Sequence, residues 1–397
     1  MLRRQKKIAL DKKTTRVFFA ANTLFYFCHW MVFAFLPLLL KEYGLTDGRI
    51  GIIIGTFSMA SMLLMLPMGV FSDYFSPKKT VIAGTCCLSL YFFFLLLSRN
   101  FYWLLLSVAI GGAGASALFI VLSSLYLKVI TRNSLSRQVA LYHVGGYLGY
   151  AFGPLIGGLI TSYYPPESLI ATAWVCSLAL IALTLFLRDS APIRFSFEEY
   201  RADLKKPGRL LLILGIFVLA THFGVEQTSF TLLMKGKLGF AAGNIGFMFA
   251  GIGLWMAFLA PWIGYFMDRK QRIIHFLFAG LVMSGAFQFL TGKAWSFGSL
   301  LLTRIFHTTG DAIAILGIGV LTALYFPGAR LGGNSGLLYV VRTAAMFSGA
   351  VAAGLINTRW GYSSSFMANG LFVLAFTAIL AISFRRCFSS SLTGRSQ

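Results

Sequence analysis

The sequence predicts an all-α membrane protein with twelve transmembrane helices in two pseudo-repeated six-helix halves. Three observations carry this. First, 57% of its 397 residues are hydrophobic and only 12% are charged, whereas soluble domains are nearer half apolar and a quarter charged; the mean hydropathy is +0.77. Second, the apolar residues gather in twelve runs, each close to the ~20 residues that cross ~30 Å of hydrocarbon. Third, a segment of the first half recurs 195 residues later. Irregular backbone is not viable against lipid, so the runs must be helices. The alternating strand pattern of an outer-membrane barrel is absent.

The runs fall near residues 16–40, 50–72, 80–98, 101–127, 138–162, 167–187, 209–234, 244–267, 273–292, 297–326, 333–357 and 362–384. The first follows a basic tail (Arg3, Arg4, Lys6, Lys7, Lys12, Lys13, Arg16). It is too long for a signal-peptide core and lacks a small-x-small cleavage site, so it reads as a retained helix. The second and third flank the short polar loop "SDYFSPKK". The fourth, "LLLSVAIGGAGASALF", and the fifth, "GGYLGYAFGPLIGGLI", are rich in glycine, which lets membrane helices approach closely. After the sixth comes the longest polar interval, residues 188–208, whose "FEEYRADLKK" suits a short amphipathic helix at the membrane surface. The chain therefore divides into a half at 1–187, a cytoplasmic central loop at 188–208 and a half at 209–397. The seventh, tenth and eleventh runs carry ionisable residues. All other loops are short and leave no room for a soluble catalytic domain.

Lysine and arginine placement sets the orientation. Of 34, 25 lie on the side of both termini and the central loop, seven lie on the other side, and Arg304 and Arg342 fall inside runs. Both termini are thus expected in the cytoplasm, with the chain in the cytoplasmic (inner) membrane. The net charge of +22 does not imply nucleic acid, because the basic residues sit between apolar runs and form no stripe. The five cysteines lie in or beside apolar runs at no metal-ligand spacing. No nucleophile–base set or phosphate loop is legible, so no enzyme, cofactor or metal is expected.

The repeat pairs "GLTDGRIGIIIGTFSMASMLLMLPMGVFSD" (44–73) with "GFAAGNIGFMFAGIGLWMAFLAPWIGYFMD" (239–268) without gaps. Its identities include Gly69/Gly264 and the acids Asp73/Asp268. Duplicated halves are what secondary transporters use for alternating access, with the solute site between them near mid-membrane. "GVFSDYFSPKK" resembles the signature loop of the major facilitator superfamily, with Gly69, Asp73, Lys78 and Lys79 at the matching positions; Tyr74 and Ser76 depart from the pattern. The second half matches with Gly264, Asp268 and Arg269. The resemblance covers nearly the whole chain and implies that these residues gate the cytoplasmic side. An acid at that helix end can pair with cations or with an adjacent helix N-terminus, latching one conformation. Gly149, Gly153, Pro154, Gly157 and Gly158 look like the glycine–proline motif of exporter branches of the superfamily, with Ala140 replacing one earlier glycine. Physically they offer a packing face and a bend where the halves slide. Val108 or Ala109 stands where proton-coupled exporters often carry an arginine.

Ionisable residues inside spans are costly and are functional candidates. Arg304, His307 and Asp311 are spaced i, i+3, i+7 and fall within an arc of about 60° on one helix face. His222 and Glu226, spaced i, i+4, share another. Arg342 and His29 complete the expected substrate and proton cavity. Arg304 or Arg342 would neutralise Asp311 or Glu226, and a histidine or carboxylate so placed can carry a proton. Arg304-x-x-His307 followed by an acid resembles the tenth helix of sugar–proton symporters of the superfamily. The expected function is alternating-access transport of a small organic solute, coupled to protons, by a monomer, with export ahead of uptake symport. A membrane sensor or assembly partner is the rival of another class.

Overall fold

The computed structural model describes residues 12–45, 47–130, 135–190, 197–204 and 208–393. Arg3, Arg4, Lys6 and Lys7 of the basic tail, and residues 191–196 and 205–207 of the central loop, lie outside them. The helices are α1 (Lys12–Phe33), α2 (Leu36–Glu42), α3 (Asp47–Tyr74), α4 (Pro77–Leu97), α5 (Phe101–Ala117), α6 (Ser123–Val129), α7 (Leu135–Tyr163) and α8 (Pro166–Thr184). A short α9 (Phe197–Leu204) follows, then α10 (Arg209–Leu232), α11 (Ala242–Lys270), α12 (Ile273–Thr291), α13 (Phe297–Tyr325), α14 (Leu331–Trp360) and α15 (Tyr362–Thr393). Among the described residues, eleven helical stretches are long and apolar enough to cross a membrane. The first predicted span is helical too, although Lys12, Lys13, Arg16 and Asn22 dilute its hydropathy.

The spans start and stop where local chemistry dictates. The expected single helix over 16–40 breaks at Ala34–Phe35, one turn before Pro37, which has no N–H to give the Phe33 carbonyl. Ser76 caps α4 by accepting from the Lys79 amide at 3.1 Å, with Pro77 at the first helical position. Ser296 and Ser299 form a reciprocal box at the start of α13. π-helical turns at Leu118–Leu122 and Leu233–Lys237 join α5 to α6 and extend α10.

One core, around Phe18, Phe25, Leu88, Phe92 and Leu125, lies within α1–α8. A second, around Leu212, Leu277, Leu281 and Val373, lies within α10–α15. A third joins Leu135, Val139 and Tyr147 of α7 to Met248, Ala260 and Leu316 of the second half. The halves thus meet through packed helices, α7 with α11 and α3 with α14.

The glycine–proline face of α7 has a different partner from the one expected. It does not face the other half; Gly149, Gly153 and Gly157 press on the α1 backbone at Thr23, Phe27 and Met31, and Gly158 faces the Phe35 ring. Pro154 lies in the same helix. The face of α7 that meets the second half is marked instead by Ala140 and Ala151, against Gly264 and Gly253 of α11. A Cβ at residue 149 would overlap the Thr23 carbonyl oxygen and lie 2.7 Å from the Phe27 nitrogen. Gly149→Val is therefore expected to cost roughly 1–3 kcal/mol by overpacking and to lower the melting temperature in detergent. An unchanged melt would show that α1 and α7 separate freely.

Candidate functional site

The end of the molecule that carries the basic loops is closed by two acids, each capping a helix of the other half. Asp73, at the end of α3, is buried to 1% exposure. Its Oδ1 accepts from the Gly332 amide (3.0 Å) and Lys128 Nζ (2.5 Å); its Oδ2 accepts from the Gly333 amide (2.6 Å) and the Tyr200 hydroxyl (2.8 Å). The two amides belong to the first turn of α14, where backbone donors lack intrahelical partners and the helix dipole favours negative charge. Backbone-close approach makes this possible. A Cβ at Gly332 would lie 2.5 Å from the Gly69 carbonyl oxygen and 2.6 Å from Asp73 Oδ1, and one at Gly69 would overlap the Gly332 carbonyl.

Asp268, at the pseudo-equivalent place in α11, accepts from the Ser136 amide (2.9 Å) and the Arg137 amide (3.0 Å) in the first turn of α7. Gly264 packs there against Ser136 and Ala140. The two latches are the same contact made twice.

A clasp from α9 lies over the Asp73 latch. Arg330 holds Asp203 with two hydrogen bonds, Nε to Oδ2 at 2.7 Å and Nη2 to Oδ1 at 2.9 Å, and reaches Glu199 at 2.7 Å. Asn334 Nδ2 adds a bond to Asp203 at 3.1 Å. Burial opposes ionisation of Asp203, but the bonds from Arg330 and Asn334 outweigh it and hold its carboxyl below the usual carboxylate range. Burial, then the Asp73 carboxylate, pushes the Tyr200 phenol up, so Tyr200 serves the latch as a donor.

Beyond the latches lies a cavity walled by both halves. Tyr26, Phe119, Tyr142 and His143 face it from the first half, and Phe223, Tyr339 and Arg342 from the second. The π turn at Leu118–Leu122 contributes Leu118 and Phe119; such turns recur at functional sites.

The ionisable residues of α10 and α13 form one buried set. Arg304 Nη1 lies 2.5 Å from Glu226 Oε1, and its guanidinium stacks 4.7 Å above the Phe230 ring. His307 Nδ1 lies 2.9 Å from the Ser284 carbonyl oxygen, to which only an N–H can bond, so Nδ1 carries a proton. Its Nε2 then faces Glu226 Oε1 at 3.0 Å and Asp311 Oδ2 at 3.2 Å. His222 Nε2 stands 3.2 Å from the same Asp311 oxygen. Arg304 against two carboxylates leaves one negative charge, which a single proton on this histidine pair neutralises. Asp311 Oδ1 and Arg304 Nε have no hydrogen-bond partner among the described residues, so the set keeps one acceptor and one donor beyond its ion pairs. Only Glu226 is partly open, at 16% of its side chain. His222, Glu226 and His307 offer three ligand atoms within 4.8 Å of one another. The Arg304 guanidinium on the Glu226 oxygen opposes a metal ion there, whereas a proton fits.

Other predicted residues lie elsewhere. His29 stacks with Phe33 and Phe57 at 5.1 and 5.6 Å inside the first half, away from the charged set. Arg342 joins neither Asp311 nor Glu226; it faces the cavity between the rings of Phe223 (5.2 Å) and Tyr339 (5.6 Å). The Lys78 amide bonds Asp189 at the start of the central loop (3.1 Å) and its Nζ bonds the Leu185 carbonyl (2.5 Å), and Lys79 serves through its amide at the Ser76 cap. Arg269 reaches the Tyr265 hydroxyl, 3.5 Å away. The cation on Asp73 is Lys128, which sequence reasoning treats as a loop charge. Tyr200, Arg330, Asp203 and the receiving amides are likewise unmarked in sequence; the paired glycines of "RLGGNSG", just after "FPGAR", are the one signal that points to a tightly approached helix start.

The sequence profile described as Major Facilitator Superfamily matches residues 18–240 and 212–388. The fosmidomycin resistance protein of Escherichia coli is 25% identical over 226 residues, covering 53% of this chain and 54% of that protein. An uncharacterized MFS-type transporter of Methanocaldococcus jannaschii is 22% identical over 346 residues, covering 84% and 88%. The quinolone resistance protein NorA of Staphylococcus aureus is 22% identical over 219 residues, covering 53% and 56%. The match thus spans about half the length of each of the two resistance proteins. The crystal structure of the human organic anion transporter MFSD10 superposes with a TM-score of 0.80 at 19% identity, covering 94% of this chain and 100% of that one.

Proposed function

The chain belongs to the Major Facilitator Superfamily, and we propose that it is a proton-coupled secondary transporter that expels a small organic solute by alternating access. The observation that carries this reading is the doubled latch: two pseudo-equivalent acids close one end of a cavity built between two six-helix halves. Rocking of the halves would break both at once and expose the cavity to the other side. The excess of lysine and arginine in the loops at the latched end supports a cytoplasmic location for it, with both termini on that side of the inner membrane; in this reading the conformation is shut toward the cytoplasm. In this reading Asp73 and Asp268, with Gly69 and Gly264, are the gate. Lys128 takes the part that Lys78 and Lys79 were expected to play. The set Arg304, His307, Asp311, Glu226 and His222 is the proton site, because its charges balance when one proton is bound. Export is favoured by the names of the resistance proteins to which the chain is similar. Uptake symport is the second reading, favoured by the Arg304–His307–acid arrangement on α13.

A ligand screen for compounds that raise the melting temperature of the purified protein supplies the solute. In proteoliposomes, an imposed pH gradient is expected to drive that solute uphill, and a protonophore to stop it. Flux that ignores the gradient overturns the coupling. Absence of flux for every stabilising compound overturns transport and leaves a membrane sensor.

A further inference from the structure

We infer that the central cavity binds amphipathic organic oxyanions, carboxylates or phosphonates of single charge, and that Arg342 recognises the anionic group; the inference rests on the transport reading only for what becomes of the bound anion. Arg342 lies on α14 in the cavity wall and is half-buried. The acids nearest to membrane depth are all engaged elsewhere. Glu226 and Asp311 hold Arg304, His307 and His222; Asp73 and Asp268 hold the latches. Among the described residues, no carboxylate lines the cavity. It therefore contains a permanent cation without a counter-ion.

A half-buried guanidinium at membrane depth is costly when no acid pairs with it. The faces of Phe223 and Tyr339 relieve part of that cost but leave its in-plane N–H fork unused by any acid. That fork matches an oxyanion with two parallel hydrogen bonds. Ser335 on the same helix and His143 on the facing wall also line the cavity, polar groups able to complete the shell. Most of the remaining surface is apolar, with Leu118, Leu219 and Ile318 suited to a hydrocarbon body. A cationic solute would meet the uncompensated Arg342 charge, and a neutral one would leave it unpaired. The arrangement selects for charge at one end and apolar bulk at the other.

The test uses three probes of one shape: 2-naphthoate, 2-naphthamide and 2-naphthylmethylammonium, titrated calorimetrically into the purified full chain. The naphthoate is expected to bind at least ~10-fold more tightly than the amide, with the cation weakest. Arg342→Gln should erase the preference and Arg342→Lys keep part of it, with melting curves checking that each variant is folded. Equal binding of the three probes to the wild type, preference for the cation, no binding at millimolar concentration, or a preference that survives in Arg342→Gln each overturn the inference. If Arg342→Gln does not fold, the wild-type ranking together with Arg342→Lys still decides. Arg342-dependent naphthoate binding without flux in proteoliposomes would remove the transport reading and keep the anion site. Flux that ignores solute charge would do the reverse.

Discussion

Glu226→Gln and Asp311→Asn are expected to uncouple transport, cutting pH-gradient-driven accumulation by ~10-fold or more while solute exchange continues. The reason is the charge of the buried set. With Arg304, Glu226 and Asp311 ionised, one negative charge remains for a proton on His307 or His222 to neutralise. Either substitution removes that charge, so the set is balanced without a proton and has none to exchange when the halves rock. Arg304→Ala does the opposite. It strands two carboxylates and should cost about 3–5 kcal/mol of stability, so its melting temperature should fall furthest. The pair of measurements separates coupling from scaffolding. A well-folded Asp311→Asn that still concentrates solute with unchanged pH dependence would remove the set from the coupling path, and equal melting losses for all three variants would make it structural.

Asp73→Asn should lower turnover by ~10- to 100-fold and leave solute affinity within about 3-fold. Asp73 accepts four hydrogen bonds, two from backbone amides and one from a lysine. Charge-assisted bonds contribute roughly 1.5–3 kcal/mol each, and 1.4 kcal/mol already moves a two-state ratio tenfold. The substitution changes the balance between conformations without touching the cavity wall. Hydrogen exchange reads this directly: the amides of Gly332 and Gly333 should exchange faster, while the Ser136 and Arg137 amides, held by Asp268, respond only as far as the two latches open together. Wild-type turnover with unaltered exchange at the start of α14 would show that Asp73 does not hold the gate.

The helices were legible because apolar length alone separates membrane spans from the polar stretches between them, and the doubled "G…D" pattern marked both capping acids. Charges at membrane depth were legible for the same reason: Arg304, His307, Asp311, His222 and Glu226 are conspicuous in such apolar surroundings, and helical spacing put them on shared faces. What the chain order hid was which helices touch. Arg342 looked equivalent to Arg304 as a counter-ion, yet α14 turns it to the cavity while α13 turns Arg304 to Glu226. Lys78 and Lys79 stand near Asp73 in sequence, but Lys128 reaches it in space. A helix N-terminus could be named as a partner for Asp73, whereas the choice of α14 could not, because backbone amides look alike at every position. The glycine face of α7 announced close packing but not that α1 is the partner.

The repetition of the latch has a consequence for descent. Each half supplies one capping acid and one receiving helix start, so two identical six-helix units facing each other about a twofold axis would close both gates with a single contact encoded once. Fusion then lets each copy drift. The receivers are already different in kind, Gly332–Gly333 in one half and Ser136–Arg137 in the other; the amides donate alike, and only the first pair is packed too closely to carry a Cβ. The acids cannot drift in that way, since each must deliver a carboxylate to the same place. Selection should therefore hold Asp73 and Asp268 together while the buried ionisable residues, concentrated in the second half, are free to diverge from their counterparts in the first.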